Sequence, residues 1–426
     1  MPGETVGGKP DLSPTIPATM PRERIDSLDL IRGVAVIGIL FANILAFGQP
    51  MSAAFYPGAS LVPPGPADEW GWLAQFVLID GKMRGLFTLL FGTGLVLFVE
   101  RARARGAGIP LQLRRLFWLW CFGAAHFILL WRGDILMSYA IAGALALVFV
   151  NWTGRNLLVL GLVAYAIGAL VLTAVYALPD VITGEAFSSK PATAELRSEL
   201  DGAARGAMLE ERAEAVAIQR GDYPAFVRGN AAALPGDLTA SLLLVFLETV
   251  PLVLVGMGLY RTGFFSGAVP HRRLLRWSWG GLVAGAALTL LLGLLELRSG
   301  FSYYGTLSVI AGAGGLPRLP MILGLAGLLV VASGSAAGWQ RRIRAAGRMA
   351  FSNYLGTSLL MLPVFHGFGL GLFGTLDRLE LYGVALAGGA AMLAWSEPWL
   401  RSFTHGPLEW AWRCLTYRRW LPLRRR

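Results

Sequence analysis

Only two cysteines, Cys121 and Cys414, occur in 426 residues. They stand far apart with no C-x-x-C spacing, which argues against a disulfide framework, a zinc ribbon or thioredoxin chemistry. Charge is scarce too: Asp, Glu, Lys and Arg make up 15% of the chain, against roughly 25% in an ordinary soluble domain. Histidine occurs four times. His126 and Asp134 could supply two metal ligands, but no third is spaced to join them, so no metal is expected. No Gly-rich phosphate loop and no repeat of fixed period stand out. Apolar residues fill the gap at 55%, with a mean hydropathy of +0.57. This balance excludes a soluble enzyme or nucleic-acid binder and indicates an all-α, polytopic membrane protein.

Apolar stretches of about 17 to 25 residues, each enough for one crossing, recur along the chain. Ten spans are expected, near 30–48, 83–100, 114–131, 134–151, 156–178, 238–259, 276–296, 319–337, 350–372 and 381–400. Residues 70–82 are read as an interfacial helix leading into the second span, and the Gly-rich stretch 303–316 as re-entrant. The first twenty residues hold several prolines, glycines and threonines and no apolar core, so 1–21 reads as a disordered cytoplasmic tail without a signal peptide. A helical membrane domain follows over 22–404. It carries an extracytoplasmic cap at 179–236, where Thr193 to Gly221 suits short amphipathic helices.

Net charge is +11, and its placement fixes orientation. With the N-terminus inside, the inner segments hold 25 of the 37 basic residues and 8 acids, while the outer segments hold 12 basic residues and 17 acids. That is the positive-inside pattern of a protein with both termini in the cytoplasm. The basic surplus is accounted for by orientation and by attraction to anionic lipid, so no nucleic-acid partner is expected. Residues 405–426 alternate Trp410, Trp412, Tyr417 and Trp420 with arginines, which suits a basic aromatic segment lying at the interface. Its arginines would also suit a phosphate-bearing cosubstrate.

Ionisable groups within spans are costly, at least about 2.5 kcal/mol each, and usually face a cavity or a partner. Asp29 and Arg32 share one helical face at the inner end of span one, either as a cap with a topogenic arginine or as an ion pair lining a vestibule. Asn43, on the same span, reads as a coupling or cavity-lining residue. His126 sits about 9 Å below the outer turn Arg132-Gly133-Asp134, and the short hairpin returns the Asp134 carboxylate over it. There the pair can be a packing contact or an oriented general base. Glu248 is the only acid near the middle of a span, beside Pro251, and reads as interhelical glue or as a coupling site lining a cavity. Ser352, Asn353 and Tyr354 crowd one inner turn of span nine, after Arg348. His366 falls in that span's outer half, among Gly367, Gly369, Gly371 and Gly374, which permit close packing.

Five stretches in order carry a resemblance: R-I-x-S-L-D-x-I-R-G-x-A from Arg24, F-T-L-L-F-G-T-G-L from Phe87, H-F-I-L-L-W-R-G-D-I-L from His126, G-R-M-A-F-S-N-Y-L from Gly347 and H-G-P-L-E-W-A-W-R-C-L-T-Y from His405. Together they resemble the YeiB-like bacterial membrane proteins, a family of unknown function. That family is similar in turn to the transmembrane acyltransferases, which share the D-x-x-R-G-x-A opening and include the lysosomal enzyme that acetylates heparan sulfate. The resemblance implies a helical bundle in which cytoplasmic acyl-CoA donates to an extracytoplasmic or membrane acceptor through an outer-side histidine. In the lysosomal enzyme that histidine follows span one, whereas Gln49 to Glu69 contains none. His126 and His366 are therefore candidates by depth. The leading expectation is an acyltransferase with His126 as base or acyl carrier, Asp134 as its partner, and Arg32 with Arg348 drawing cosubstrate phosphates toward Asp29, Asn353 and Tyr354. A proton-coupled secondary transporter using Glu248 and His126, and a non-catalytic scaffold presenting the cap, are the alternatives. Membrane lipid and a small-molecule or envelope acceptor are the expected partners, with an oligomer left open.

Overall fold

A computed structural model describes residues 26–184, 191–334 and 338–425. The expected tail over 1–21 lies outside the described residues. In a bilayer each backbone N–H must be satisfied within its own rod, and the apolar runs are accordingly helical. Helix α1 spans Asp26–Gly48, α2 Pro66–Leu78, α3 Lys82–Arg103, α4 Ile109–Leu129, α5 Leu136–Ala146 and α6 Gly154–Thr183. The cap contributes α7 (Ala194–Arg220) and α8 (Tyr223–Leu244). Then follow α9 (Val250–Arg261), α10 (His271–Ser299), α11 (Tyr303–Leu307), α12 (Gly315–Ala332), α13 (Gly338–Arg348), α14 (Ala350–Phe365), α15 (Arg378–Ser402) and α16 (Pro407–Tyr417). Apart from one antiparallel bridge between Phe403 and Arg424, no strand pairing occurs among the described residues.

Each of the ten expected spans contains a helix over most of its described residues. Among the described residues, seven rods are long and apolar enough to cross a membrane: Asp26–Gly48, Pro66–Arg103, Gly154–Thr183, Tyr223–Arg261, His271–Ser299, Gly315–Ala332 and Arg378–Ser402. The other three fall short for local reasons. Arg114 and Arg115 polarise the start of α4, α5 tightens into a 3₁₀ turn at Leu147–Phe149, and α14 stops at Phe365 rather than near 372. Past that point the glycines form an irregular segment laid against the cap: the Gly367 N–H donates to Ile218 O at 2.9 Å, and a Cβ on Gly367 would meet Gln219 O at 1.9 Å.

Segments read as inner gather at one end of the bundle and segments read as outer at the other. At the arginine-rich end Arg103 reaches Asn151, Ser27 reaches Phe265 O, and Trp412 Nε1 donates to Arg115 O. At the cap end Ser52 meets Glu211, Tyr223 meets Leu129 O, and Tyr304 meets Leu200 O.

The structure gives three local stretches their detail. The cap is one 27-residue helix, α7, followed by α8, which runs on without a break at residue 236 into the bundle. Residues 70–82 are split between α2 and α3 by Gly81, whose φ of 72° only glycine adopts cheaply. Residues 303–316 are continuous with α12 through a π-helical turn at Ser308–Ala313 rather than a separate hairpin.

A second π turn, Val245–Thr249, carries Glu248 and joins α8 to α9. Its carboxylate receives Arg84 Nη2 at 2.8 Å and Arg318 Nη1 at 3.4 Å. Arg318 Nη2 also donates to Ile310 O in the other π turn. The acid therefore ties α3, α9 and α12 together. Where α3 crosses α9 the contact is backbone on backbone: a Cβ on Gly92 would lie 2.1 Å from Val253 O, and one on Gly256 2.0 Å from Leu89 O.

Candidate functional site: a buried Ser-His-Asp relay

The turn after α4 supplies the first half of the site. Asp134 Oδ1 accepts the Met137 N–H at 3.0 Å as α5 begins, which leaves Oδ2 facing His126 Nδ1 at 2.7 Å. Gly123, one turn below His126, gives the loop its room, since a Cβ there would sit 2.7 Å from Asp134 Oδ1. Both side chains of the pair are fully buried.

The second half comes from α14. Ser358 Oγ lies 2.8 Å from His126 Nε2, and Ser358 is itself buried. With Nδ1–H assigned as donor to the Asp134 carboxylate, Nε2 is left to accept the serine hydroxyl proton. This is the hydrogen-bond order of a nucleophile, its base and the base's orienting acid. Tyr354, one turn before Ser358, stacks obliquely on the imidazole at 5.2 Å between ring centres, and its hydroxyl accepts the Ile135 N–H at 3.3 Å.

A narrow cleft of about 10 Å3, room for one water, lies beside the serine, lined by Val36, Ile39, Leu40, Asn43, Phe47, Tyr354, Thr357 and Ser358. Its α1 wall, Val36-Ile39-Leu40-Asn43-Phe47, is one helical stripe extending about 16 Å at 1.5 Å per residue. Asn43 is half-buried, and its amide makes no hydrogen bond among the described residues.

The remaining candidates are spread over the molecule. His366 is not brought to the relay. It caps α14, with its ring 4.7 Å from Phe226 of the cap and 5.3 Å from Phe368, and its Nδ1 is buried without a partner. Glu248 is occupied by its two arginines. Asp29 and Arg32 pair at 3.1 Å. Half-buried Arg348 follows Gly347, whose backbone packs against Asp29 O. Asn353 is spent on structure: Nδ2 donates to Ala346 O and Ser396 Oγ, and Oδ1 accepts from Trp395. Tyr354 belongs to the relay and not to the inner group it was expected to join.

Sequence reasoning missed Ser358 and the role of Glu409. From α16, Glu409 Oε1 accepts the Phe351 and Ser352 N–H groups at 2.8 and 3.0 Å and so caps α14. Burial lifts its carboxyl above the usual range, against the pull of the Ser352 hydrogen bonds. At the cap, Arg132 reaches Glu214 at 2.9 Å and Asp237 at 3.0 Å, tying the relay's turn to α7 and α8. Burial raises Glu214, with Arg132 opposing. Among the described residues no group of three or more His, Cys, Asp or Glu could hold a metal ion.

Comparison with known proteins places the chain. The family model described as "Protein of unknown function (DUF418)" matches residues 259–419. Uncharacterized protein YxaH of Bacillus subtilis is 29% identical, covering 95% of this chain and 97% of that protein. Uncharacterized protein YeiB of Escherichia coli is 30% identical, covering 93% of this chain and 97% of that one. No solved structure matches. With near-complete coverage of both relatives and a matching family model, the chain belongs to the YeiB-like, DUF418 family of membrane proteins.

Proposed function

We propose that this protein is an acyl-transfer enzyme of the bacterial cytoplasmic membrane, with Ser358 as nucleophile, His126 as general base and Asp134 as the group that orients the imidazole. The observation that carries this reading is the relay itself, Asp134 to His126 at 2.7 Å and His126 to Ser358 at 2.8 Å, set beside an apolar cleft. His126 takes the Ser358 proton as Oγ attacks the donor carbonyl, then returns it to the departing thiol of acyl-CoA. In the second half-reaction His126 deprotonates an acceptor hydroxyl or amine. The acceptor displaces Ser358 from the ester, and the proton goes back to Oγ. The unpaired amide of Asn43, on the same cleft wall, is positioned to meet charge developing on the carbonyl oxygen.

Acyl-CoA from the cytoplasm is the proposed donor, and a small-molecule or envelope group the proposed acceptor. The transporter reading has less support, since Glu248 is held between two guanidinium groups that tie three helices together. A scaffold presenting α7 would not need the relay.

The test is covalent labelling of purified protein with a fluorophosphonate probe and with radiolabelled acyl-CoA. Label is expected on Ser358 in the wild type and absent from Ser358→Ala and His126→Ala. An unlabelled Ser358, with acyl-CoA turnover unchanged in Ser358→Ala, would end this reading.

A further inference from the structure

Among the described residues, the arginine-rich end holds a group of cations that no carboxylate pairs with. Gln112, buried to 1% exposure, accepts Arg115 Nη1 on its Oε1 at 3.4 Å, while its Nε2 has no partner. Arg114 Nε and Arg413 Nε are likewise buried and unpartnered. Arg115 is sandwiched between the Phe98 ring at 4.7 Å and the Trp412 ring at 4.2 Å, which fixes the plane of its guanidinium. Among the described residues no carboxylate forms an ion pair with Arg105, Arg114, Arg115 or Arg413. Burial, reinforced by nearby Arg105, pushes the Arg413 guanidinium below its ordinary value.

Buried donors left without acceptors and like charges left without a counter-ion are both unfavourable. A tetrahedral dianion relieves both at once, and planar guanidinium forks match its oxygens two at a time. We propose that Gln112, Arg114, Arg115 and Arg413 form a binding site for a phosphate group, between the first turns of α4 and the docked helix α16.

The same geometry suggests what the phosphate is attached to, a point that rests on the acyl-transfer reading where the site itself does not. Arg115 and His126 are eleven residues apart on α4, about three turns, so they share one face at a separation of about 16 Å. Arg32 lies close enough to act electrostatically on Arg115. It stands one turn before Val36, where the apolar cleft begins. A ligand with its phosphate held at Arg115 and Arg413, and an apolar arm that parts α1 from α14 along the stripe beginning at Val36, brings a carbonyl to Ser358. The ligand class is an amphiphile bearing phosphate at its cytoplasmic end.

The phosphate can come from a soluble compound or from a lipid headgroup, and two probes separate them. Full-length protein in detergent is titrated with inorganic pyrophosphate by calorimetry, and retention of phosphatidylglycerol against phosphatidylcholine is read by native mass spectrometry. At least one phosphate probe is expected to bind, with about tenfold weaker affinity in Arg413→Gln, roughly 1.4 kcal/mol, and substantial recovery in Arg413→Lys. Arg114→Gln and Gln112→Leu carry the test if Arg413→Gln does not fold. Ser358→Ala should bind as the wild type does, so failure of acyl transfer and failure of this site are read separately. Binding of neither probe above phosphatidylcholine, or binding unchanged in well-folded Arg413→Gln and Arg114→Gln, overturns the proposal.

Discussion

Replacing Glu248 with glutamine removes one charge and leaves two. Arg318, whose side chain is 4% exposed, loses the carboxylate at 3.4 Å; Arg84, 32% exposed, loses it at 2.8 Å. Breaking a buried pair by deleting one partner costs about 3–5 kcal/mol, because the other charge stays desolvated. Arg318 accounts for most of that here, and the partly solvated Arg84 adds a fraction. The expected loss for Glu248→Gln is therefore about 4 kcal/mol, while Glu248→Leu combined with Arg318→Leu should recover about 1–4 kcal/mol of it, since only the partly exposed Arg84 then lacks its carboxylate. Reversible unfolding in mixed micelles, with the single and double variants measured side by side, reads the difference. A loss below about 1 kcal/mol for the single change, or a double variant less stable than Glu248→Gln, would refute the view that this triad carries structural load.

Asp134→Asn keeps the backbone contact to Met137 but favours the wrong imidazole tautomer; labelling at Ser358 should fall by about 10⁴-fold with little change in stability. Gly347→Val would press a side chain onto Asp29 O, 2.0 Å from its Cβ, and is expected to destabilise the protein by about 3 kcal/mol or to prevent docking of α13, as read by thermal unfolding. Because burial raises Glu409 above 4.5, the folded state binds more protons than the unfolded state between pH 4.5 and the raised value. Its contribution to stability therefore falls as pH rises through that window and then levels off. The stability gap between wild type and Glu409→Gln should shift toward the variant from below pH 4.5 to neutrality, and a flat gap contradicts the assignment. Arg132→Gln should cost no more than about 2 kcal/mol, its two pairs being partly solvated, yet raise hydrogen exchange in α7 and the start of α8.

The crossings were legible because lipid imposes a length on every apolar run, and because arginine counts sort the loops by side. The His126–Asp134 pair was legible for a related reason: an eight-residue hairpin leaves a carboxylate few places to go. Ser358 was not. A serine inside an apolar helix ordinarily returns its proton to the carbonyl four residues back, as Ser396 does to Met392 O and Thr357 to Asn353 O. Nothing local distinguishes one whose partner is 232 residues away. Glu409 was hidden in the same way: two stretches singled out separately, around Ser352 and around Trp410, meet only because α16 folds back beneath α14. Depth alone put His366 level with His126, but the early end of α14 turned its ring toward Phe226.

The interlocked glycines have a mechanical meaning. Gly92 and Gly256 bring α3 and α9 together carbonyl against α-carbon, and on its other side α9 with the turn before it is met the same way by α6, through Gly161 at Pro251 O and Gly168 at Leu247 O. Where backbone meets backbone at these glycines there is little side chain to re-rotamerise, so sliding or rocking at the crossings must break several contacts together. The three form a stiff mast. On the acyl-transfer reading, substrate would enter at the other wall of the molecule, where α1 and α14 face each other with pliant side chains between them.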